Sequence, residues 1–304
     1  MSGTVLDLLL MAIPVAFTMF VVLNFGGLLT WVERKQSAIM QDRIGGREIE
    51  LQAVTLNVGI LYVLAMLSMG VYGLMMAGWA SANNYALLGG QRAAALMISA
   101  EVAIGASIMG VVMVYGSLNM QDIARGQGQP LLPQYFGAWI PAWGILTQPL
   151  AFLLFLTAGI AATKRIPFDM PEGESEIIGY FVEYSGMKFG MFAMADFLET
   201  VVIAGLTTSL FLGGWQVPYL YEAGFRFPWG GTLGLPHLLV VLLQVGAFSL
   251  KIVVMIFLMM LIRWTLPRFR YDQAMRLGWL GLFPLAILNI VLTGAVLLAW
   301  GSHP

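Results

Sequence analysis

Seven long apolar segments limit the fold of this chain more than any other feature does. Each is close to or longer than the roughly 20 residues that an α-helix needs to cross the hydrocarbon core of a bilayer. Several begin or end at tryptophan, which favours the headgroup region. We therefore predict an all-α fold, a polytopic bundle of transmembrane helices, with spans at 5–32, 54–79, 93–116, 139–162, 187–212, 238–264 and 280–300.

Composition supports this class and excludes several others. Hydrophobic residues make up 59% of the 304 residues and charged residues 10%, whereas soluble proteins are about 25% charged. A net charge of −1 gives no electrostatic basis for binding nucleic acid. The chain has no cysteine, which excludes thiolate ligation of iron–sulfur clusters, and its two histidines are far apart in sequence. No soluble domain is visible, so we treat residues 1–304 as a single membrane domain. The first apolar run is too long for a signal peptide, and we expect it to be retained as the first membrane helix.

The basic residues indicate an orientation, with one inconsistency. Loops 80–92, 163–186 and 265–279 together carry six basic residues, whereas the loops between them carry only Arg125 and Arg226, so the positive-inside rule places these three in the cytoplasm. Loop 33–53 is also strongly basic, yet strict alternation places it on the opposite side. Either the rule fails here, or the chain re-enters the bilayer, or a spanning segment near 46–53 is absent from this sequence.

Loop 163–186 is unusually acidic for a chain with only 16 acids. The spacing of its carboxylates would align most of them on one face of a helix, where crowded like charges favour proton uptake. Alternatively, the first two could form a helix capping box and the basic residues at 164 and 165 could neutralise the rest. The residues alone leave both interpretations open. The acids are Asp169, Glu172, Glu174, Glu176 and Glu183.

Four further charges fall inside or near the ends of the predicted spans: Glu101, Asp196, Glu199 and Lys251. Charges at such depths usually pair with one another or line a wet cavity. Asp196 and Glu199 are three residues apart and share a helix face. Glu101 and Lys251 lie deeper than the others, so we expect a functional role for both.

The order and spacing of the polar motifs resemble those of the H-type membrane chains of bacterial respiratory complex I, a family homologous to mitochondrial NADH dehydrogenase subunit 1. The similarity runs from the first predicted helix to the last. The motifs that carry it are Glu33-Arg-Lys, Gln41-x-Arg43-x-Gly45, Gly78-Trp-Ala-Ser, Ile98-Ser-x-Glu101, Arg165-x-Pro-Phe-Asp169-x-Pro-Glu172, Glu174-x-Glu176, Glu183-Tyr-Ser-Gly and Arg263 with Arg268-x-Arg-Tyr-Asp-Gln273.

This resemblance implies a non-autonomous membrane subunit of a proton-pumping NADH:quinone oxidoreductase, in a bacterial inner membrane. The subunit would form part of a chamber for ubiquinone or menaquinone and couple quinone reduction to proton translocation. The implied proton-path residues are Glu101, Asp169, Glu172, Glu174, Glu176, Glu183 and Asp196. The implied residues of the quinone chamber and subunit junction are Glu33, Arg34, Arg43, Arg165, Phe168 and Arg263.

The resemblance also implies partners that hold the redox groups. Flavin and iron–sulfur clusters would lie in other chains, so quinone is the expected substrate and this chain would bind neither cofactor. Expected partners are the peripheral-arm quinone-site and iron–sulfur subunits, antiporter-like membrane subunits and lipids, with no nucleic acid.

The sequence departs from the family pattern in three places. The family has eight membrane helices. Its amphipathic helix and its second spanning helix have no counterpart in this sequence, where they would fall between Gly46 and Leu51. Because the charge distribution fails at the same place, we predict that the natural subunit contains a segment omitted here, and an intact mass of 33.2 kDa would contradict this. Ala100 replaces a common tyrosine, and Asp196 replaces a common glutamate.

Three other functions remain open at this stage. The chain could be the related membrane subunit of an energy-converting hydrogenase, although the Gly78 and Glu183 motifs favour the quinone enzyme. A stand-alone ion transporter would be expected to show an inverted repeat or paired broken helices, and neither is visible. A passive anchor for the peripheral arm would use its acids only as an electrostatic dock.

Overall fold

Long apolar helices alternate with shorter helices and irregular connections. The structure is a computed structural model that describes residues 57–131, 140–171, 177, 179–221, 224–226 and 231–301. Its helices are α1 Gly59–Ala80, α2 Asn84–Tyr115, α3 Met120–Gln127, α4 Gly144–Thr147, α5 Pro149–Ala162, α6 Met187–Phe211, α7 His237–Thr265, α8 Tyr271–Arg276 and α9 Phe283–Gly301, with a π-helical segment Leu277–Leu282 joining the last two.

Five helical segments within the described residues are long and apolar enough to cross a membrane. They are Gly59–Ala80, Asn84–Tyr115, Met187–Phe211, His237–Thr265 and Tyr271–Ala299. The prediction of an all-α, multi-pass membrane fold is therefore confirmed. The predicted span at 5–32 and loop 33–53 lie outside the described residues.

The prediction of one continuous span at 139–162 is wrong. Residues 144–147 form a single turn, α4, and α5 begins only at Pro149 and has 14 residues. Proline has no backbone N–H and is favoured at the first position of a helix, so it starts α5 instead of continuing α4. The intervening Gln148 is buried and bonds to α9, where its amide donates to Thr293 Oγ1 at 2.8 Å and accepts from Asn289 Nδ2 at 2.9 Å.

Helix α2 is the centre of the bundle, and it begins earlier than predicted. It packs against α1, α5 and α9. The predicted loop at 80–92 is confined to 81–83, because Asn83 caps α2 by accepting a hydrogen bond from the backbone N–H of Tyr85 at 3.0 Å. Glycines allow close contact with α1, since a Cβ on Gly90 would lie 3.1 Å from the carbonyl oxygen of Leu74.

The loops at the opposite end from the α1–α2 turn contain short regular elements. Strands β1 Leu220–Tyr221, β2 Gly224–Arg226 and β3 Thr232–Gly234 form an antiparallel sheet in the order β1-β2-β3. The ammonium of Lys251 lies over the ring of Trp143 and donates to the carbonyl oxygens of Leu212, Gly214 and Gln216 at 2.7–3.0 Å. These bonds give Lys251 a structural role at the end of α6, whereas the sequence suggested a functional one.

Gln127, at the end of α3, is fully buried and forms hydrogen bonds with the end of α6 and the start of α4. Its amide nitrogen donates to the carbonyl oxygens of Ser209 and Leu210, which are at the end of α6 and lack helical partners. Its amide oxygen accepts from the backbone N–H groups of Gly144 and Gly213 at 3.1 and 2.8 Å. All four hydrogen-bonding positions of the side chain are therefore filled.

Replacement of Gln127 by leucine is expected to destabilise the bundle by about 3 kcal/mol or more, since four buried backbone groups would lose a partner and each such loss costs about 1–3 kcal/mol. The measurement is the midpoint of thermal unfolding in detergent. Gln129, which is exposed, provides the matched control, because Gln129→Leu removes no buried bond. Equal midpoints for the two variants would contradict this role of Gln127.

Candidate functional site

A buried cluster of three charges lies between the end of α5 and the middle of α6. The ammonium of Lys164 is 2.8 Å from Asp196 Oδ1 and 3.4 Å from Glu199 Oε2. The side chains are 7%, 18% and 12% exposed, respectively. Asp196 and Glu199 point toward the same cation because they are one helical turn apart. We refer to Lys164, Asp196 and Glu199 as the charge cluster.

Electrostatics keep the cation of this cluster charged. Burial acts to lower the pKa of Lys164, but the carboxylates of Glu199 and Asp196 outweigh it and raise the pKa above its ordinary value. Lys164 therefore remains an ammonium at any physiological pH. The two carboxylates share this one positive charge.

Glu101, on α2, is a partly buried acid in the same region. Its Oε2 accepts a hydrogen bond from Ser68 on α1 at 2.9 Å. Its Oε1 is buried and has no hydrogen-bond partner among the described residues. Glu101 and Glu199 are close enough for their charges to interact. An oxygen in this position is free to take a proton or to accept a bond from water.

The acidic loop is described only in part. Glu172, Glu174 and Glu176 lie outside the described residues, as do Glu33, Arg34 and Arg43. Asp169 is half-buried and follows directly on the buried Phe168. The described residues 169–171, 177 and 179–186 are not helical, so Asp169 and Glu183 do not lie on a helix face.

The end of this loop is held against the α1–α2 turn. Glu183 Oε1 accepts a hydrogen bond from Asn83 Nδ2 at 2.8 Å, so the residue that caps α2 also binds a loop acid. Tyr184 donates its hydroxyl to the carbonyl oxygen of Ala77 at 2.7 Å. Burial raises the pKa of Tyr184, so this phenol stays protonated and the bond persists across physiological pH.

An open cleft lies beside the charge cluster. Its lining is mostly apolar and also includes Arg165, from the loop after α5, and Arg263, from the end of α7. The guanidinium of Arg165 lies over the ring of Phe197, 4.5 Å from its centroid. The other lining residues are Ile160, Thr163, Ile166, Thr200, Val201, Ile256, Met259 and Met260.

The loop after α7 packs against the loop after α5 and so fixes the cleft. The rings of Phe168 and Phe269 are 5.3 Å apart, and the backbone N–H of Phe269 donates to the carbonyl oxygen of Pro167 at 2.9 Å. Arg92, at the start of α2, lies over the ring of Tyr271. Phe168 is therefore a buried residue that supports the loop carrying Arg165. Other aromatic and apolar side chains line the cleft.

The candidate residues thus divide into three groups. Arg165 and Arg263 both line the cleft, Asp196 belongs to the charge cluster, and Glu101 lies within electrostatic range of that cluster. Glu183 is at the α1–α2 turn, apart from the others. Sequence reasoning did not select Lys164, Glu199 or Ser68 as site residues, although the three-residue spacing of Asp196 and Glu199 was a usable signal.

Comparisons with known proteins identify the family. The family model described as NADH dehydrogenase matches residues 46–294. The chain is 43% identical over 256 residues to the NADH-quinone oxidoreductase H subunit 1 of Cytophaga hutchinsonii, covering 84% of this chain and 69% of that protein. It is 42% identical over 288 residues to the corresponding H subunit 2 of Geobacter sulfurreducens, with coverages of 94% and 73%. For the H subunit of Thermomicrobium roseum, the identity is 44% over 257 residues, with coverages of 84% and 68%. The resemblance drawn from the motifs is thereby confirmed, and the chain belongs to the NADH dehydrogenase family.

Proposed function

We propose that this chain is the H-type membrane subunit of a bacterial NADH-quinone oxidoreductase, in which it contributes to the quinone site and to the coupling of quinone reduction to proton movement. The relatives bear the name of this component, and the match covers most of the chain. The chain would catalyse nothing alone, since its partners would hold the flavin and the iron–sulfur clusters. It would lie in the inner membrane.

The observation that carries the quinone proposal is the convergence of Arg165 and Arg263 on one apolar cleft. A quinone has a flat ring with two carbonyl oxygens and an apolar tail. Ligand sites of this type combine an apolar lining with a few polar groups that fix orientation. Two guanidinium groups supply donors for the carbonyl oxygens, and Phe197, Met259 and Met260 offer apolar contacts. Phe197 is 58% exposed, so the cleft is accessible to a molecule that arrives from the bilayer.

The proton-coupling proposal rests on acids at two depths. Glu183 is at the surface end of the bundle, while Asp196 and Glu101 are within membrane helices. Asp169, Glu172, Glu174 and Glu176 belong to the same proposal on the basis of the sequence. Reduction of a quinone near Arg165 would change the charge beside this set, and protons would redistribute among its carboxylates in response.

Expected partners follow from the same proposal. Glu33, Arg34 and Arg43 would complete the quinone chamber at the junction with the peripheral-arm subunits. Antiporter-like membrane subunits would receive the coupled protons. The segment predicted to be missing near 46–53 would belong to the same junction.

Affinity purification of this chain from native membranes tests the proposal directly. We expect flavin and iron–sulfur signals to co-purify, together with NADH oxidation that depends on a short-chain quinone and is inhibited by quinone-site inhibitors. Hydrogen evolution without quinone reduction would instead identify a hydrogenase relative. A lone chain that exchanges ions and has no redox partner would indicate a transporter.

The passive-anchor alternative requires a separate variant. Glu183→Gln keeps an acceptor for Asn83 Nδ2 and removes the charge. If the acid acts in coupling, we expect quinone reductase activity to fall while the complex remains assembled on native gels. Full activity in an assembled Glu183→Gln complex would favour the anchor.

A further inference from the structure

A positive charge lies at the midpoint of helix α7. Lys251 is the central residue of this 29-residue helix. Its ammonium uses its three N–H donors on three carbonyl oxygens just beyond the end of α6, and it lies 4.7 Å from the centroid of the Trp143 ring. The ion pairs of the described residues do not include Lys251. The charge is therefore fixed in place by carbonyl dipoles, without an acidic counter-charge from the described part of the chain.

Lys251 is separated from the candidate site along two helices. On α7, it is eight residues from Met259, which lines the cleft, and this spacing corresponds to about 12 Å of helix. On α6, Glu199 of the charge cluster is twelve residues before Phe211, the last helical residue, which corresponds to about 18 Å. The site thus lies toward the α1–α2 turn, whereas Lys251 lies toward the end of the bundle that carries the small sheet.

The layer between the site and Lys251 is closed and apolar. Residues 200–211 of α6 include no ionisable side chain, and Leu206 and Phe211 are at most 2% exposed. The hydroxyls of Thr207 and Thr208, which are also fully buried, donate to carbonyl oxygens one turn earlier in the same helix, at 2.7 and 2.8 Å. Their protons are thus used within α6, and neither hydroxyl donates to a chain of water molecules through this layer.

Fixed positive charges at the edge of such a layer oppose the entry of protons. Membrane channels exclude protons by this means, with a basic side chain or the positive ends of helices beside a narrow pore. Lys251 supplies the basic side chain. Helix α5 adds a dipole of the same sign, because it ends near the charge cluster and its positive N-terminus, at Pro149, is directed toward the small-sheet end.

We propose that Lys251, held by Trp143 and the end of α6, is an electrostatic seal that prevents protons from crossing this chain between the small-sheet end and the acids of the candidate site. This seal is additional to the proposed function, which gives Lys251 no role. Lys251 transfers no proton and only repels one. Protons that the site exchanges would leave at the opposite end of the bundle or pass sideways to partner subunits.

Lys251→Gln is the critical variant, and it is studied in the purified, assembled complex in proteoliposomes without NADH. Glutamine removes the charge and keeps an N–H donor for the carbonyl oxygens at the end of α6. A potential is imposed across the membrane, and passive proton entry is followed with an enclosed pH-sensitive dye. We expect proton entry to rise by about tenfold or more, since fixed charges change local ion concentrations by about 10- to 1,000-fold.

Two controls separate the charge from other effects of substitution. Lys251→Arg keeps the cation and should remain as tight as the wild type. Arg125→Gln removes a cation that is 70% exposed near the same end of the bundle, and it should also remain tight. Proton entry at the wild-type rate in an assembled Lys251→Gln complex would overturn the inference.

An introduced cysteine tests the closed layer without relying on proton flux. The chain has no cysteine, so Thr208→Cys provides its only thiol. A small water-soluble thiol reagent should leave Thr208→Cys unlabelled while Lys251 is present and should label it in the Lys251→Gln background, and Gln129→Cys, at an exposed position, should be labelled in both. Rapid labelling of Thr208→Cys with Lys251 present would overturn the inference even if Lys251→Gln does not assemble. Neither readout requires quinone reduction, so absence of NADH:quinone activity would count against the proposed function alone.

Discussion

Replacing Arg165 by methionine is expected to reduce the NADH:quinone reductase activity of the assembled complex by about 10- to 100-fold, because the cleft would lose a charge-assisted donor to the quinone, which contributes about 1.5–3 kcal/mol. Arg165 is the cleft residue whose guanidinium lies over an aromatic ring, with its Cζ 4.5 Å from the centroid of the Phe197 ring. Methionine retains much of the apolar stem and removes the donors. The measurement is the dependence of the rate on the concentration of a short-chain quinone.

The effect should appear mainly in the quinone dependence and should leave upstream electron transfer intact. Reduction of an artificial acceptor by NADH, which bypasses the quinone site, should therefore stay at the wild-type rate. Arg165→Lys keeps the charge but loses the planar, stacked group, so we expect intermediate activity. Arg226 stacks on Tyr221 in the small sheet, and Arg226→Met is the matched control. An unchanged quinone dependence in Arg165→Met would contradict the assignment of the cleft.

Replacing Lys164 by methionine is expected to destabilise the protein by about 3–5 kcal/mol, the usual cost of removing one partner from a buried ion pair. Lys164 is 7% exposed and is the cation within 4 Å of both Asp196 and Glu199 in the described part of the chain. Its loss would leave two buried carboxylates without a counter-charge. We expect low abundance of the chain in membranes and a reduced thermal midpoint of any complex that assembles.

A charge-balanced variant separates this effect from simple loss of packing. Combining Lys164→Met with Asp196→Asn and Glu199→Gln removes all three charges, and the destabilisation should largely disappear because no unpaired ion remains buried. Stability would return without proton pumping. Lys164→Arg, which keeps the cation, should be far less damaging than methionine. If the triple variant is no more stable than Lys164→Met alone, charge balance is not what stabilises this region.

The sequence was sufficient for the class of the fold and for the family. Spans predicted at 187–212 and 238–264 match α6 and α7 to within one residue, since long apolar runs can be satisfied in a bilayer only as helices. Motifs around Glu101, Arg165 and Arg263 identified the family because they are local patterns in the chain. The break at Gln148 was missed, as the apolar run continues through it and the bonds of Gln148 go to the distant helix α9.

The composition of the site was decided by the tertiary structure. Lys164 and Arg165 are neighbours in a short basic motif, yet one is buried between two acids and the other stacks on Phe197 in an open cleft. Glu199 became part of the site only when α6 packed beside the loop after α5 and brought its carboxylate to Lys164. Lys251 resembled a functional intramembrane charge, but the end of α6 supplied three carbonyl oxygens for it.

The sequence by itself determined which charges enter the membrane region, because apolar length sets the helices. Only the packing of distant helices determined which charges are paired and which remain available for a proton, because pairing depends on distances of about 3–4 Å that no local pattern specifies.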